Sequence, residues 1–199
     1  DKKDYTIYIS ENKDATAREL WGFVYARQIH GDSVCVVDKE LKDIPSEHDA
    51  IVSKIWKMKI WVLLADCNGI VLMWKTRYGV VHAWRKWLQN GIITKVLHML
   101  EDCDEDISSL KVYIGPSIRE CCYEVGEEFL WYFDTKYFTR RDGKLYFDMI
   151  KKLIDVLCEK GVLRENIEIN EYCTCCSWKF FSYRKGNDNQ RFIVAVEKK

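Results

Sequence analysis

The residues of this sequence that are best suited to chemistry are one cysteine and two histidines, which lie far apart along the chain. Cys67 follows an apolar run and precedes Asn68-Gly69, and His82 ends a short apolar segment just before a predicted helix. His30 lies near the start of another predicted strand. Residues at such junctions often face a cleft. Two imidazoles and one thiolate would hold zinc with its fourth position open, as catalytic zinc sites do.

The same residues also have an ordinary structural interpretation. Free cysteine is among the most buried residue types, so Cys67 would pack as a small hydrophobic side chain, and His82 would cap a strand. Ligands scattered along a chain follow no local spacing rule. On spacing alone the structural interpretation is favoured, and the metal site is the open alternative.

The elements that must position these residues follow from the hydrophobic patterns. Strands are predicted at residues 5–9, 28–37, 49–53, 60–65, 70–74, 79–81, 111–114, 167–169 and 191–196. Helices are predicted at residues 14–25, 84–100, 124–133 and 147–160, with Gly161 ending the last of them. Strands and helices alternate, with several hairpin-like pairs. We therefore expect an α/β or α+β fold, a single domain over residues 1–199 with mixed β-sheets flanked by helices.

Composition narrows the function classes. Of the 199 residues, 48% are hydrophobic, which is enough for a substantial core, and 31 basic residues balance 31 acidic ones. The zero formal charge gives a nucleic-acid partner little support. The most apolar run, residues 60–74, is interrupted by polar residues and is too short to cross a bilayer. No signal-peptide pattern accompanies the nine cysteines, so we expect a cytoplasmic protein with free thiols and no membrane partner.

Six short motifs, in order along nearly the whole chain, point to a family. They are Gln28-Ile-His30-Gly31, Asp49-Ala50, Leu64-Ala-Asp-Cys67, Val81-His-Ala83 with Trp84-Arg85, Ile114-Gly-Pro-Ser-Ile118 with Cys122-Tyr-Glu-Val-Gly126, and Cys173-Thr174 with Phe180-Phe-Ser-Tyr-Arg184. Together they resemble the YfiH or laccase-domain family, whose fold is a layered one of the cysteine-hydrolase type.

The resemblance implies both a site and an activity. It implies that His30, Cys67 and His82 ligate zinc and form the catalytic centre. Copper is the less favoured metal and is suggested by the family's older label, polyphenol oxidase. Members of the family are similar to purine nucleoside phosphorylases that also deaminate adenosine. The implied substrates are adenosine, inosine, guanosine and methylthioadenosine, together with phosphate. Arg85, at the start of a predicted helix, would bind the phosphate, and Arg18 is a weaker candidate.

Two positions depart from the family pattern. The family usually has a glycine between the alanine and the tryptophan that follow its second histidine, whereas Ala83 here runs straight into Trp84. It also usually has a proline two residues beyond the cysteine, where this chain has Gly69. We expect the first change to shorten the turn that positions His82 and the second to loosen the turn behind Cys67. Either change would lower activity.

A second group of cysteines could hold a structural metal. Cys173 and Cys176 have the C-x-x-C spacing of half a zinc site, and the other half would have to be Cys121 and Cys122. Adjacent cysteines are poorly placed for tetrahedral ligation. We therefore expect Cys173 to line the pocket or the core rather than to bind metal.

Three other functions compete with the leading one. Cys67 could act as a nucleophile with His82 as its base, in a hydrolase for an amide such as a muropeptide bond. The two departures from the family pattern would suit a non-catalytic metal-binding protein. Copper oxidase activity ranks last, because reduction of dioxygen to water generally needs several coppers.

Overall fold

The structure is a computed structural model that describes residues 4–11, 23–25, 27–39, 47–84, 91–101 and 106–199. The strands are β1 Tyr5–Ile9, β2 Phe23–Tyr25, β3 Val34–Val37, β4 Ala50–Ser53, β5 Lys59–Leu64, β6 Asn68–Met73, β7 Tyr78–Ala83, β8 Lys111–Ile114, β9 Glu124–Val125, β10 Phe138–Arg141, β11 Lys144–Phe147, β12 Ile167–Ile169 and β13 Phe192–Lys198. The α-helices are α1 Ile92–Glu101 and α2 Met149–Glu159. Short 3-10 turns occupy Ile107–Ser109, Glu127–Trp131, Thr135–Tyr137 and Arg164–Asn166.

The described strands form three sheets. The largest has six strands in the order β12-β8-β6-β7-β4-β3, the second has the order β1-β13-β5-β2, and the smallest has the order β10-β11-β9. Parallel and antiparallel pairs occur together, since β3 pairs parallel to β4 whereas β4 and β6 pair antiparallel to β7. The expected mixed α/β fold is confirmed.

The six-stranded sheet is buried on both faces. Because side chains alternate along a strand, Ala50 and Val52 pack into one core with the helices, while Ile51 packs into a second core with the four-stranded sheet. β6 and β7 alternate in the same way. Strands covered on both sides read as continuous apolar runs, which explains the patterns that predicted them.

Several elements differ from their predictions. Phe23–Tyr25, expected to end a helix, forms β2 and pairs parallel to β5, while residues 12–22 lie outside the described residues. The strand predicted at residues 28–37 is shorter, so His30 lies in a bend before β3. The segment predicted as a helix at residues 124–133 is β9 followed by a 3-10 turn.

Helix α2 matches its prediction closely. Asp148 caps its first turn by accepting a hydrogen bond from the backbone N–H of Lys151, and Gly161 follows its end at φ +93°. None of the helices in the described part of the chain is long and apolar enough to cross a membrane.

Candidate metal centre

Strand pairing brings Cys67 and His82 together at the ends of two neighbouring inner strands of the six-stranded sheet. In the antiparallel β6–β7 pair, Gly69 lies opposite His82. Cys67 immediately precedes β6, so its side chain emerges beside the histidine. Both residues are almost fully buried, Cys67 with 8% and His82 with 2% of its surface exposed.

His30 completes the group from a separate loop. One ligand atom from each of His30, Cys67 and His82 lies within 4.8 Å of the other two. The two imidazole rings are 4.9 Å apart and nearly perpendicular, and the Trp84 ring packs edge-on against His30 at 5.5 Å. His30 is the exposed member, with a left-handed backbone at φ +59°. The structure thus brings together all three residues that the resemblance singled out.

Asp49 holds the two histidines in place. Its fully buried carboxylate accepts a hydrogen bond from Nδ1 of His82 at 2.8 Å and from the backbone N–H groups of Gly31 at 2.7 Å and His30 at 3.1 Å. A carboxylate can only accept, so Nδ1 carries the proton and Nε2 is the ring nitrogen that would donate to a metal ion. This carboxylate–histidine pairing is the usual support of a metal-binding imidazole.

Asp66 fixes the turn that presents Cys67. Its backbone is left-handed, at φ +81°, which is unusual for a residue other than glycine. Its carboxylate accepts hydrogen bonds from the hydroxyl of Thr174 at 2.6 Å and the backbone N–H of Arg184 at 2.7 Å, and its carbonyl accepts one from the N–H of Ile118 at 3.0 Å. Surrounding structure therefore offsets the backbone strain beside the candidate metal group.

Burial controls the protonation of both inner residues. Burial, followed by the charge of Asp66, raises the pKa of Cys67 to about 12. Burial also lowers the pKa of His82, and it outweighs the opposite effect of Asp49. His82 is therefore held in the neutral form that binds metal, whereas Cys67 needs a nearby cation before it loses its proton.

A metal ion suits these donors. Two imidazoles and a thiolate are a zinc-type ligand set that leaves a fourth position open, and the carboxylate behind His82 supplies the outer support that such sites have. The donors and the buried setting indicate a metal-binding group.

The group lies in a cavity of about 770 Å³, within the usual size range of small-molecule sites. Three arginines, Arg27, Arg184 and Arg191, line it. Four aromatic side chains also face it, namely Tyr25, Trp84, Tyr123 and Tyr183. The cavity thus combines fixed positive charge with flat apolar surfaces beside the candidate metal group.

The expected phosphate residue cannot be placed, because Arg85 lies outside the described residues, as does Arg18. Sequence reasoning missed Arg27 and Arg191, which belong to no quoted motif. Arg184 ends the last family motif, and that position was the available signal for it. Asp49 was quoted in a motif but given no role, because its partners become neighbours only through the β4–β7 pairing.

One expectation about the departures from the family pattern is wrong. Gly69 does not lie in a loose turn, because it is inside β6 and buried. A Cβ atom there would lie 2.6 Å from a methyl group of Leu64 and 3.0 Å from Cβ of Val194. Leu64 and Val194 would therefore both have to shift to admit a larger residue at this position.

The structure brings the four residues of the second cysteine group together, which their spacing did not indicate. The thiols of Cys121, Cys122, Cys173 and Cys176 all lie within 4.8 Å of one another. Cys173 is buried, as expected, but it belongs to this group.

Comparison with known proteins agrees with the fold. A purine nucleoside phosphorylase of Aquifex aeolicus is 37% identical over 85% of this chain and 79% of its own length. Adenosine deaminase RL5, from an unknown prokaryotic organism, is 30% identical over 91% of this chain and 77% of its own. The crystal structure of the hypothetical protein YfiH of Bacillus licheniformis superposes with a TM-score of 0.81 at 22% identity, covering 90% of this chain and 75% of that one.

A family model described as multi-copper polyphenol oxidoreductase laccase matches residues 2–196, almost the whole chain. That span includes His30, Cys67 and His82 together with the supporting Asp49 and Asp66. The chain belongs to this laccase-domain family, the family of YfiH.

Proposed function

We propose that this protein is a zinc-dependent purine nucleoside phosphorylase that also deaminates adenosine. Its substrates would be adenosine, inosine, guanosine and methylthioadenosine. The observation that carries the proposal is the His30, Cys67 and His82 group at the wall of a cavity that also holds three arginines. The names of the relatives, purine nucleoside phosphorylase and adenosine deaminase, support both halves of it.

His30, Cys67 and His82 would hold the metal. A zinc ion held there would supply a Lewis acid and would lower the pKa of water to near neutrality. Asp49 keeps the proton of His82 on Nδ1 and so keeps its other nitrogen directed to the metal. Copper would also bind such donors, but laccase chemistry needs several coppers, and the described residues offer one other metal-binding group, made only of cysteines.

The arginines would bind phosphate, because a guanidinium matches the geometry of phosphate oxygens. Arg184 is positioned by a hydrogen bond from Nη1 to the carbonyl of Glu124 at 3.0 Å. Arg191 is positioned by bonds from Nη1 to the carbonyls of Asp188 and Gln190 at 2.9 and 2.8 Å. Fixed side chains lose little entropy on binding an anion.

The aromatic rings would bind the purine. Tyr123 and Tyr183 lie beside Arg184 along the cavity, and Trp84 packs against His30. Flat apolar rings of this kind stack on a base without needing specific hydrogen bonds to it. A purine stacked on Trp84 would lie next to His30 of the metal group.

The proposal is tested by incubating zinc-loaded protein with each nucleoside and separating the products by chromatography. Inosine with phosphate should give hypoxanthine, and omitting phosphate should stop this reaction. Adenosine without phosphate should give inosine. Cys67→Ala should lose both activities and the zinc ion of the His30, Cys67 and His82 group but remain folded, whereas Cys35→Ala, a buried cysteine in β3, should keep them. Absence of all base and inosine products from zinc-loaded protein would refute the proposal.

A cysteine hydrolase is the second candidate, because Asp49 bonds His82 and His82 lies beside Cys67, as the carboxylate, base and nucleophile of a catalytic triad do. The raised pKa of Cys67 counts against it, since the reactive form is the thiolate. A chelator distinguishes the two, because it should abolish the proposed reactions and spare a thiol hydrolase.

A further inference from the structure

A four-cysteine group forms where two loops meet beside the cavity. Cys121 and Cys122 lie in the turn that follows β8, and Cys173 and Cys176 lie in the turn that follows β12. A backbone bridge between Ser117 and Cys173 joins the two segments, together with a bond from the Thr174 N–H to the Ser117 carbonyl at 3.0 Å. The backbone thus holds the two cysteine pairs face to face.

The local geometry removes the objection to adjacent cysteines. Neighbouring side chains point to opposite sides in a strand, but Cys121 and Cys122 lie in a tight turn. Its backbone N–H groups at Cys122 and Tyr123 both bond the carbonyl of Arg119, at 2.9 and 2.8 Å. Both thiols therefore reach the thiols of the other pair.

The sulfur separations match a tetrahedral metal. Zinc with Zn–S bonds of about 2.3 Å requires sulfur atoms about 3.8 Å apart. Sγ of Cys121 and Sγ of Cys176 are 3.8 Å apart, and all four sulfur atoms lie within 4.8 Å of one another. A disulfide would instead need about 2.05 Å, with the other two thiols left outside it.

Backbone N–H groups around Cys173 favour its thiolate. Sγ of Cys173 accepts a hydrogen bond from the N–H of Arg119 at 3.4 Å, and the N–H groups of Cys175 and Cys176 also bond it. Metal binding requires deprotonated thiols, and hydrogen-bond donors around the sulfur suit a thiolate at this position.

We propose that Cys121, Cys122, Cys173 and Cys176 bind a second zinc ion in an all-thiolate structural site. Four protein ligands leave no open position, which distinguishes this site from the three-ligand group in the cavity. The site would fasten the loop of Ile118 and Tyr123, which line the cavity, to the loop of Thr174. Both loops bond Asp66, next to Cys67, so the second ion would brace the turn that presents the first metal group.

The test counts metal in protein purified under reducing conditions with zinc present, using elemental analysis. Wild type should contain two zinc ions per chain. The double variant Cys121→Ser/Cys176→Ser, which changes two exposed residues, should contain one, and Cys67→Ala should also contain one. Cys175→Ser is the matched control, because it lies in the same loop outside the group and should contain two.

X-ray absorption at the zinc edge of Cys67→Ala provides a second measurement, which does not need the double variant to fold. It should show sulfur ligands alone, at about 2.3 Å. The proposal would be overturned if Cys67→Ala contained no zinc or showed nitrogen ligands in its spectrum. It would also be overturned if the double variant kept as much zinc as wild type, or if the reduced protein contained a Cys121–Cys176 disulfide. None of these outcomes depends on the nucleoside reactions.

Discussion

The substitution Asp49→Asn tests how the candidate metal centre is supported. The side chain keeps its shape but loses its charge and gains an NH₂ group. If the amide oxygen keeps the bond to the Gly31 N–H, its NH₂ group faces Nδ1 of His82 and the N–H of His30. The amide then donates to Nδ1, and the imidazole proton moves to Nε2. In that tautomer His82 cannot bind the metal until the proton is moved.

The magnitude follows from these bonds. Loss of an outer carboxylate typically lowers metal affinity about 10–100-fold, equivalent to about 1.4–2.7 kcal/mol. The N–H of His30 also loses its acceptor, and because this bond is only partly buried the loss should cost about 1 kcal/mol of stability, the lower end of the range for a buried donor. We therefore expect zinc binding and unfolding stability to fall together.

Competition with a fluorescent zinc chelator measures the affinity, and urea unfolding of the metal-free protein measures the stability. Asp38→Asn is a matched control, since Asp38 is partly exposed and pairs with Arg77 away from the cavity. It should leave zinc affinity unchanged. If Asp49→Asn bound zinc as tightly as wild type, with the same pH dependence, the assigned role of Asp49 would be wrong.

Two further predictions concern other parts of the molecule. Arg184→Gln should raise the KM for phosphate about tenfold or more, because a charged hydrogen bond contributes about 1.5–3 kcal/mol. Arg140→Gln is the control and should leave this KM unchanged, since it breaks only a surface ion pair with Glu127. If both variants had the same KM for phosphate, Arg184 would not belong to the phosphate site. Burial raises the pKa of Tyr78 to about 12 in the folded protein, so as the pH rises the Tyr78 hydroxyl loses its proton in the unfolded chain before it does so in the folded one. The free energy of unfolding should therefore fall by about 2 kcal/mol between pH 10 and pH 12. Tyr78→Phe should lack this alkaline loss, as measured by urea unfolding at each pH, and an identical loss in both proteins would assign it to other groups.

Local sequence signals predicted the elements that are locally determined. Helix α2 carries its own cap at Asp148 and its own stop at Gly161, so its bounds were read to within a few residues. β2 was misread as helix, because its strand conformation comes from pairing with β5 rather than from its own sequence. Propensity is a weak guide where tertiary pairing decides.

The candidate site shows the same division. His30, Cys67 and His82 were identified through the family motifs, since no spacing rule joins them. Spacing gives no sign that Cys121 and Cys122 can both reach the other two cysteines, because this depends on a turn that the sequence does not reveal. The role of Asp49 depends on a bend at His30 with a left-handed backbone, a conformation that no local pattern indicated.

The position of β13 has a consequence for the order of folding. β13 lies between β1 and β5, so β1 pairs with a segment from the far end of the described chain. The Ile193 N–H, for example, bonds the Ser10 hydroxyl across 183 residues. Contacts so distant in sequence form slowly. The four-stranded sheet must therefore remain incomplete during synthesis until β13 has emerged, with an apolar face of the larger sheet uncovered in the meantime.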